Sequence, residues 1–256
     1  MSIEPQPDSP ELARLLVATH QTRTPLSVLQ SELIPTDADA AYAVQHRTLN
    51  LRKQSIAGWK VGAKSMDGPI QCAPLPADRV MRQPATVHRS DYGALGLELE
   101  IAFRLSRVFE PRIEPYSDRA VLDSVGTMLA TIEVVSSRFA QWPEVNKLAQ
   151  LADLQNHGAL ICAESTPYSD AFPFVSPRMT FRFNGKDIIQ GQVGNPAMDL
   201  RRLLIWTVNH CIQRNVAIGG DDVITTGSYT GLYFPASPGT AVGEIDGLAP
   251  VSLTII

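Results

Sequence analysis

The sequence predicts an α+β fold: a β core punctuated by glycines, with helices placed before it and between its strands. Three observations carry this reading. Two segments with apolar residues at helical spacing occupy the chain before residue 57, where the pattern changes. Beyond that point, short alternating segments are separated by Gly, Pro and Asp. No strand leads into a G-x-G-x-x-G turn and helix, which argues against a parallel dinucleotide-binding sheet. The change at 57 divides the chain into a helical subdomain, 1–56, and a β domain, 57–256.

The elements follow in order. Ser9-Pro10 is a helix start, with a capping serine and proline at the first helical position, and Leu12, Leu15 and Leu16 continue it. A turn-rich break from Thr24-Pro25 to Pro35-Thr36 precedes a second helix near Asp37. There Ala41, Val44 and Leu51 are expected on the inner side, with Gln45, Arg52 and Lys53 facing away. Residues 57–64 read as a short glycine-bounded strand, and 65–93, rich in Pro, Gly and Asp, as a loop or edge strands with turns. Leu95 to Leu105 is a strand, closed by Pro111 and Pro115. Ser117 or Asp118 caps an expected helix carrying Val121, Leu122, Val125, Met128 and Leu129, which hands over to a strand at 131–136. Helix, turn and strand are expected in 143–165, and a hairpin around Asn184-Gly185. Asp199 to Asn215 is an amphipathic helix, and the tail alternates short strands with glycine turns.

Composition narrows the function. A chain of 256 residues buries roughly 70–75% of its unfolded surface without needing staples. The net charge is −4 and no basic run of five occurs, which argues against a nucleic-acid partner. No apolar stretch approaches a membrane span and no signal segment is visible at the start, so the expected location is the cytoplasm. Three well-separated cysteines without a CxxC fit buried thiols in a reducing compartment. Charged residues at 19% are fewer than usual and point to a homo-oligomer.

Candidate chemistry centres on acids. Glu98 and Glu100, at i and i+2 of one strand, project from the same face, where they repel unless a cation lies between them. Oxygen-only ligation suits Mg²⁺, Mn²⁺ or Ca²⁺. A solvated polar face explains the pair equally well. Glu133 interrupts the apolar run Ile132 to Val135, where a lone charge needs a partner: a shared metal ion, or a neighbour such as Arg138. Lys60, between Trp59 and Val61, can anchor an anionic substrate or move a proton, or be an exposed strand lysine; Lys64 ranks second. Asp153 and Gln155-Asn156-His157 break an apolar region. A histidine there can act as a base, although a lone histidine is more often structural. The run Thr225-Thr226-Gly227-Ser228-Tyr229-Thr230-Gly231, a strand end followed by small hydroxyl residues between glycines, offers main-chain and side-chain donors to a carboxylate, with Ser228 and Thr230 as the candidates for a substrate; turn chemistry alone also accounts for it.

The order and spacing of these segments resemble the 2-keto-4-pentenoate hydratase and 4-oxalocrotonate decarboxylase family of the fumarylacetoacetate hydrolase superfamily. The resemblance spans roughly 37–250: Ala41-Tyr42-Ala43-Val44-Gln45, Gly58-Trp59-Lys60-Val61-Gly62, Leu97 to Phe103, Ile132 to Arg138, Gly194-Asn195-Pro196, and Gly220 to Gly231. It implies a glycine-rich mixed β-roll with a helical N-terminal portion, often in pentamers, decamers or other closed assemblies. It also implies Mg²⁺ or Mn²⁺ on Glu98, Glu100 and Glu133, with Lys60 near the substrate in proton transfer. The expected substrate is a small anionic 2-hydroxydienoate or 2-oxoenoate of aromatic catabolism. Hydration of 2-hydroxypenta-2,4-dienoate to 4-hydroxy-2-oxopentanoate is the leading expectation. A 4-oxalocrotonate-type decarboxylase, an acylpyruvate-type C–C hydrolase and a non-catalytic binding protein are the alternatives. Two segments depart from the family pattern: 67–78, where Asp78 is the candidate for a second proton-transfer group, and 153–158, where Asp153 keeps the position of a family aspartate.

Overall fold

The structure, a computed structural model, describes residues 10–256. In chain order its elements are α1 (Pro10–Thr22), α2 (Ala38–Arg52), β1 (Ile56–Gly62), β2 (Gln71–Pro76), β3 (Val80–Arg82), β4 (Ala85–Val87), β5 (Gly96–Leu105), β6 (Val108–Phe109), α3 (Asp118–Leu122) and β7 (Val125–Val135). There follow α4 (Lys147–Ala152), β8 (His157–Cys162), β9 (Thr166–Pro167), β10 (Met179–Phe183), β11 (Lys186–Asp187), α5 (Arg201–Gln213), β12 (Ile218–Gly219), β13 (Val223–Ser228), β14 (Gly239–Ile245) and β15 (Val251–Ile255). The cap expected at Ser9 lies outside the described residues, while α1 does begin at Pro10.

Local signals set most boundaries. Asp37 caps α2 by accepting from the Ala40 amide at 2.8 Å, and Lys53 ends it in the left-handed region at φ 54°. Asn184 and Gly185 both have positive φ, as a tight hairpin between β10 and β11 requires. The inner face of α2 differs from expectation. Gln45 is buried and donates to the carbonyls of Cys72 (3.2 Å) and Leu151 (2.6 Å), tying α2 to β2 and α4, whereas Leu51 is exposed. A polar side chain takes the inward position because two carbonyls there need a donor.

The segment after Ser117 also differs. Ser117 does cap a helix, but α3 stops at Leu122, and Val125, Met128 and Leu129 belong to β7. β7 pairs with β5 along ten residue positions, Gly96 opposite Val135 through Leu105 opposite Val125. Sheet pairing over that length outweighs the local helical spacing.

The larger sheet runs β2-β1-β13-β5-β7-β8-β3, with β9 beside β7. A five-stranded sheet, β11-β10-β14-β15-β4, lies apart from it, and β12 pairs with β6. Laid flat, seven strands would hold their edges about 29 Å apart. Yet β2 and β3, the two edges, are joined only by residues 77–79, a reach of about 14 Å. The sheet must therefore curl into a roll. Its inner face carries Leu75, Ala102, Leu129, Leu160, Cys162 and Val223, a separate apolar cluster with Val80 against it. Its outer face, including Leu97, Leu99, Ile101, Phe103, Ile132 and Val134, joins the second sheet and the helices in the main core. Leu12 and Leu16 of α1 and Tyr42 of α2 enter that same core. No helix among the described residues is long and apolar enough to cross a membrane.

Candidate metal centre

Antiparallel pairing sets Glu98 of β5 directly opposite Glu133 of β7, and the two-residue strand period brings Glu100 to the same inner face. One carboxylate oxygen from each of the three lies within 4.8 Å of the others. Glu100 and Glu133 are about 1% exposed or less. The apolar cluster inside the roll lies further along the same strands, at Ala102 and Leu129, and removes solvent from that side.

The two fully buried glutamates are held in the same way. Glu133 Oε1 accepts from Lys60 Nζ at 2.6 Å and faces His157 Nδ1 at 2.9 Å, while Oε2 is buried with no partner among the described residues. Glu100 Oε2 accepts from Thr225 Oγ1 and from the Gly227 amide at 3.0 Å. Gly227 has φ 87°, a conformation that glycine adopts without strain. Each carboxylate thus has one oxygen fixed by two donors and the other left for something else.

Charge identifies what is missing. Burial pushes the Glu98 carboxyl up to about 8, helped by Glu100 and Glu133. Burial and Glu133 push Glu100 up to about 7. Burial alone would lower the Lys60 ammonium, but Glu133 and Glu100 outweigh it and raise it, so the lysine stays charged. Burial, followed by Lys60 and Arg138, drives His157 well below its ordinary value, leaving a neutral imidazole. Three carboxylates therefore face one cation, and full ionisation leaves two negative charges unbalanced. A hard divalent cation would supply that charge, and an all-oxygen donor set suits Mg²⁺, Mn²⁺ or Ca²⁺. The orphaned Glu133 Oε2 gives it a ligand atom already stripped of water.

The other expected residues are placed as follows. Lys60 joins the cluster, and Nζ also donates to the Gln155 carbonyl at 3.1 Å. Lys64 is exposed on the loop after β1. Asp78 accepts from Arg52 Nη2 at 2.8 Å, with Arg79 at 3.7 Å, and has no bond to the glutamates. Asp153 is buried under Arg138: it accepts from the Arg138 backbone amide at 2.8 Å and from Ser137 Oγ at 3.1 Å, and pairs with the Arg138 guanidinium. With those bonds spent on Asp153 and on the His157 carbonyl (2.6 Å), Arg138 is not the counterion of Glu133; Lys60 is. Asp78 and Asp153 were expected at the reacting centre, and the structure pairs both with arginines: the exposed Asp78 with Arg52 at the surface, and the buried Asp153 with Arg138, because a buried carboxylate needs a cation of its own. Ser228 lies opposite Glu100 in the β13–β5 register and donates to the Gly231 carbonyl at 3.2 Å. Thr230 is buried, and its Oγ1 accepts from the Leu99 amide at 3.3 Å, between the two glutamates of β5.

The run Thr225 to Gly231 was expected to offer donors to a carboxylate, and two of its members, Thr225 and Gly227, donate to the Glu100 carboxylate of the protein itself. Sequence reasoning did not place the Gln155 carbonyl beside Lys60. His157 stood in a noted polar cluster, but nothing in the spacing links it to a glutamate 24 positions away.

No protein-family model matches the chain, and no curated protein matches it by sequence. Solved structures do. The chain is similar along its whole length to 4-oxalocrotonate decarboxylase from Pseudomonas putida G7, with 100% of both chains covered. The TM-score is 0.83 at 16% identity for the complex with calcium and acetate. For the complex with magnesium and adipate it is 0.81 at 18% identity. It is also similar to fumarylpyruvate hydrolase from Pseudomonas aeruginosa in complex with Mn²⁺ and pyruvate, at a TM-score of 0.54 and 16% identity over 77% of this chain and 88% of that one. The chain has the fold of the fumarylacetoacetate hydrolase superfamily: N-terminal helices on a mixed β core.

Proposed function

We propose that this chain is a divalent-metal-dependent enzyme for a small 2-oxoenoate or 2-hydroxydienoate, and that its reaction is decarboxylation of a 2-oxohex-3-enedioate. The observation that carries the reading is the trio Glu98, Glu100 and Glu133, with fixed and free oxygens and Lys60 beside them. Hydration stood first on the sequence. The full-length likeness to a decarboxylase supports placing decarboxylation ahead of it. Mg²⁺ or Mn²⁺ is the ion we expect, held by the three glutamates.

An ion held there would supply positive charge to polarise the carbonyl of a 2-oxo acid. The chain's own groups do the rest. Lys60, whose Nζ meets Glu133 Oε1 at 2.6 Å, is proposed to anchor the substrate carboxylate and to protonate the carbon that CO₂ leaves. Ser228, opposite Glu100, is proposed to contact a substrate oxygen, and Lys64 the distal carboxylate. Thr230 is proposed to act from behind, holding β5 so that both of its glutamates keep their aim.

The test is a matched assay after EDTA treatment, with Mg²⁺ or Mn²⁺ restored. Metal-dependent CO₂ release from 2-oxohex-3-enedioate, abolished in Glu98→Ala, supports the reading. Addition of one water to 2-hydroxypenta-2,4-dienoate instead would make the enzyme a hydratase. If neither substrate turns over in protein that binds the ion, the substrate class is wrong.

A further inference from the structure

We propose that His157 is a positioning residue for this site: its Nδ1–H fixes the Glu133 carboxylate so that Oε2 faces the cation. The inference rests on the metal reading above and deepens it. A glutamate's last torsion is broad, so one donor does not define the plane of its carboxylate. Lys60 alone would be a poor guide, because an ammonium on a four-carbon stem follows whichever oxygen is offered. The imidazole is different. It is rigid, 2% exposed, and meets the same Oε1 that Lys60 meets. Two donors converging on one oxygen set the plane and leave the other oxygen free, as Thr225 and Gly227 do for Glu100.

The imidazole is itself held. His157 opens β8, and its carbonyl accepts from Arg138 Nη1 at 2.6 Å. Arg138 is fixed in turn by Asp153, through its own backbone amide at 2.8 Å and through Nη2 on the Asp153 carbonyl at 2.7 Å. Asp153, Arg138, His157 and Glu133 form one chain of contacts ending at the free Oε2. This gives the buried Asp153 a function that acts through geometry. The other ring nitrogen, Nε2, is buried and has no partner among the described residues, so within them Nδ1 makes the ring's one hydrogen bond. Outer partners of metal ligands typically tune affinity by roughly 10–100-fold.

The test is Mn²⁺ titration of the metal-free protein, followed by electron paramagnetic resonance of the free ion, for wild type, His157→Asn, His157→Gln and His157→Ala. The asparagine amide nitrogen occupies the place of Nδ1, whereas the glutamine nitrogen reaches toward that of Nε2. Asn should bind Mn²⁺ within about threefold of wild type, and Gln and Ala roughly 10–100-fold more weakly. A role in packing alone would lower the melting temperature of Asn and Gln alike without separating their affinities. Equal affinity in all four proteins, or equal loss in Asn and Gln, overturns the positioning role and leaves the metal site standing. A wild-type protein that binds no Mn²⁺ overturns both. Should the alanine variant not fold, the Asn–Gln comparison decides.

Discussion

Glu98 illustrates how a site can be costly to the protein that carries it. Its carboxyl is pushed up to about 8 by burial and by Glu100 and Glu133, so the metal-free fold works against its charge. Glu98→Gln removes that charge and keeps the shape. It should raise the melting temperature measured in EDTA by a few degrees, roughly the effect of 1 kcal/mol in a chain of this size, while Mn²⁺ affinity falls; a lower melting temperature in EDTA would contradict this. The same pKa shifts set a pH dependence. Glu98 and Glu100, at about 8 and about 7, hold protons in the fold that an unfolded chain releases near 4.5. Their contribution to metal-free stability is present below 4.5 and is lost as pH rises through 7 and 8. Protons also compete with the cation, so binding strengthens over that window. The stabilisation by Mn²⁺ in thermal melts should therefore grow between pH 6 and pH 9, and a constant gain would contradict the assignment. At this scale the gathering of the three glutamates was legible because charge in an apolar strand needs a reason. His157 was not, because its partner is distant in sequence.

Elements show where local pattern loses to pairing. Val125, Met128 and Leu129 have helical spacing after a good serine cap, yet they extend β7, since ten positions of β5 await a partner. Ala41 and Val44 line the inner face of α2 as expected, and the exchange of Gln45 for Leu51 there has a related cause: helical periodicity reports apolarity, and the buried carbonyls of Cys72 and Leu151 call for a donor instead. Gln45→Leu fills the space but leaves both carbonyls unpaired, and should cost about 1–3 kcal/mol in chemical denaturation; no loss would show that water serves them. Gly58 supports the site from β1. A Cβ there would stand 2.1 Å from the Val223 carbonyl oxygen, so Gly58→Ala must push β1 from β13. Because β1 carries Lys60, we expect a loss of several kcal/mol and weakened Mn²⁺ binding, both measurable on the same sample. The hairpin at Asn184-Gly185 and the strand at 96–105 were legible because turn chemistry and strict alternation are local.

On the scale of the whole molecule, the α+β class was readable from the sequence, but the curling of the sheet was not: it follows from a three-residue connection between edges that no local pattern marks. That curling is what gathers β1, β5, β7, β8 and β13 around one cluster of side chains. The surface has its own message. Ile113 is 98% exposed and Val108 50% exposed within one short stretch, in a chain with few charges. We expect self-association, read as a light-scattering mass that is a multiple of the chain's; a monomer at micromolar concentration would contradict it. The central claim concerns the glutamates. Crystals grown with Mn²⁺ and measured near the manganese absorption edge should show an anomalous peak among Glu98, Glu100 and Glu133, with Glu133 Oε2 among its ligands. Density for the bound ion elsewhere, with those three carboxylates empty, would contradict the account.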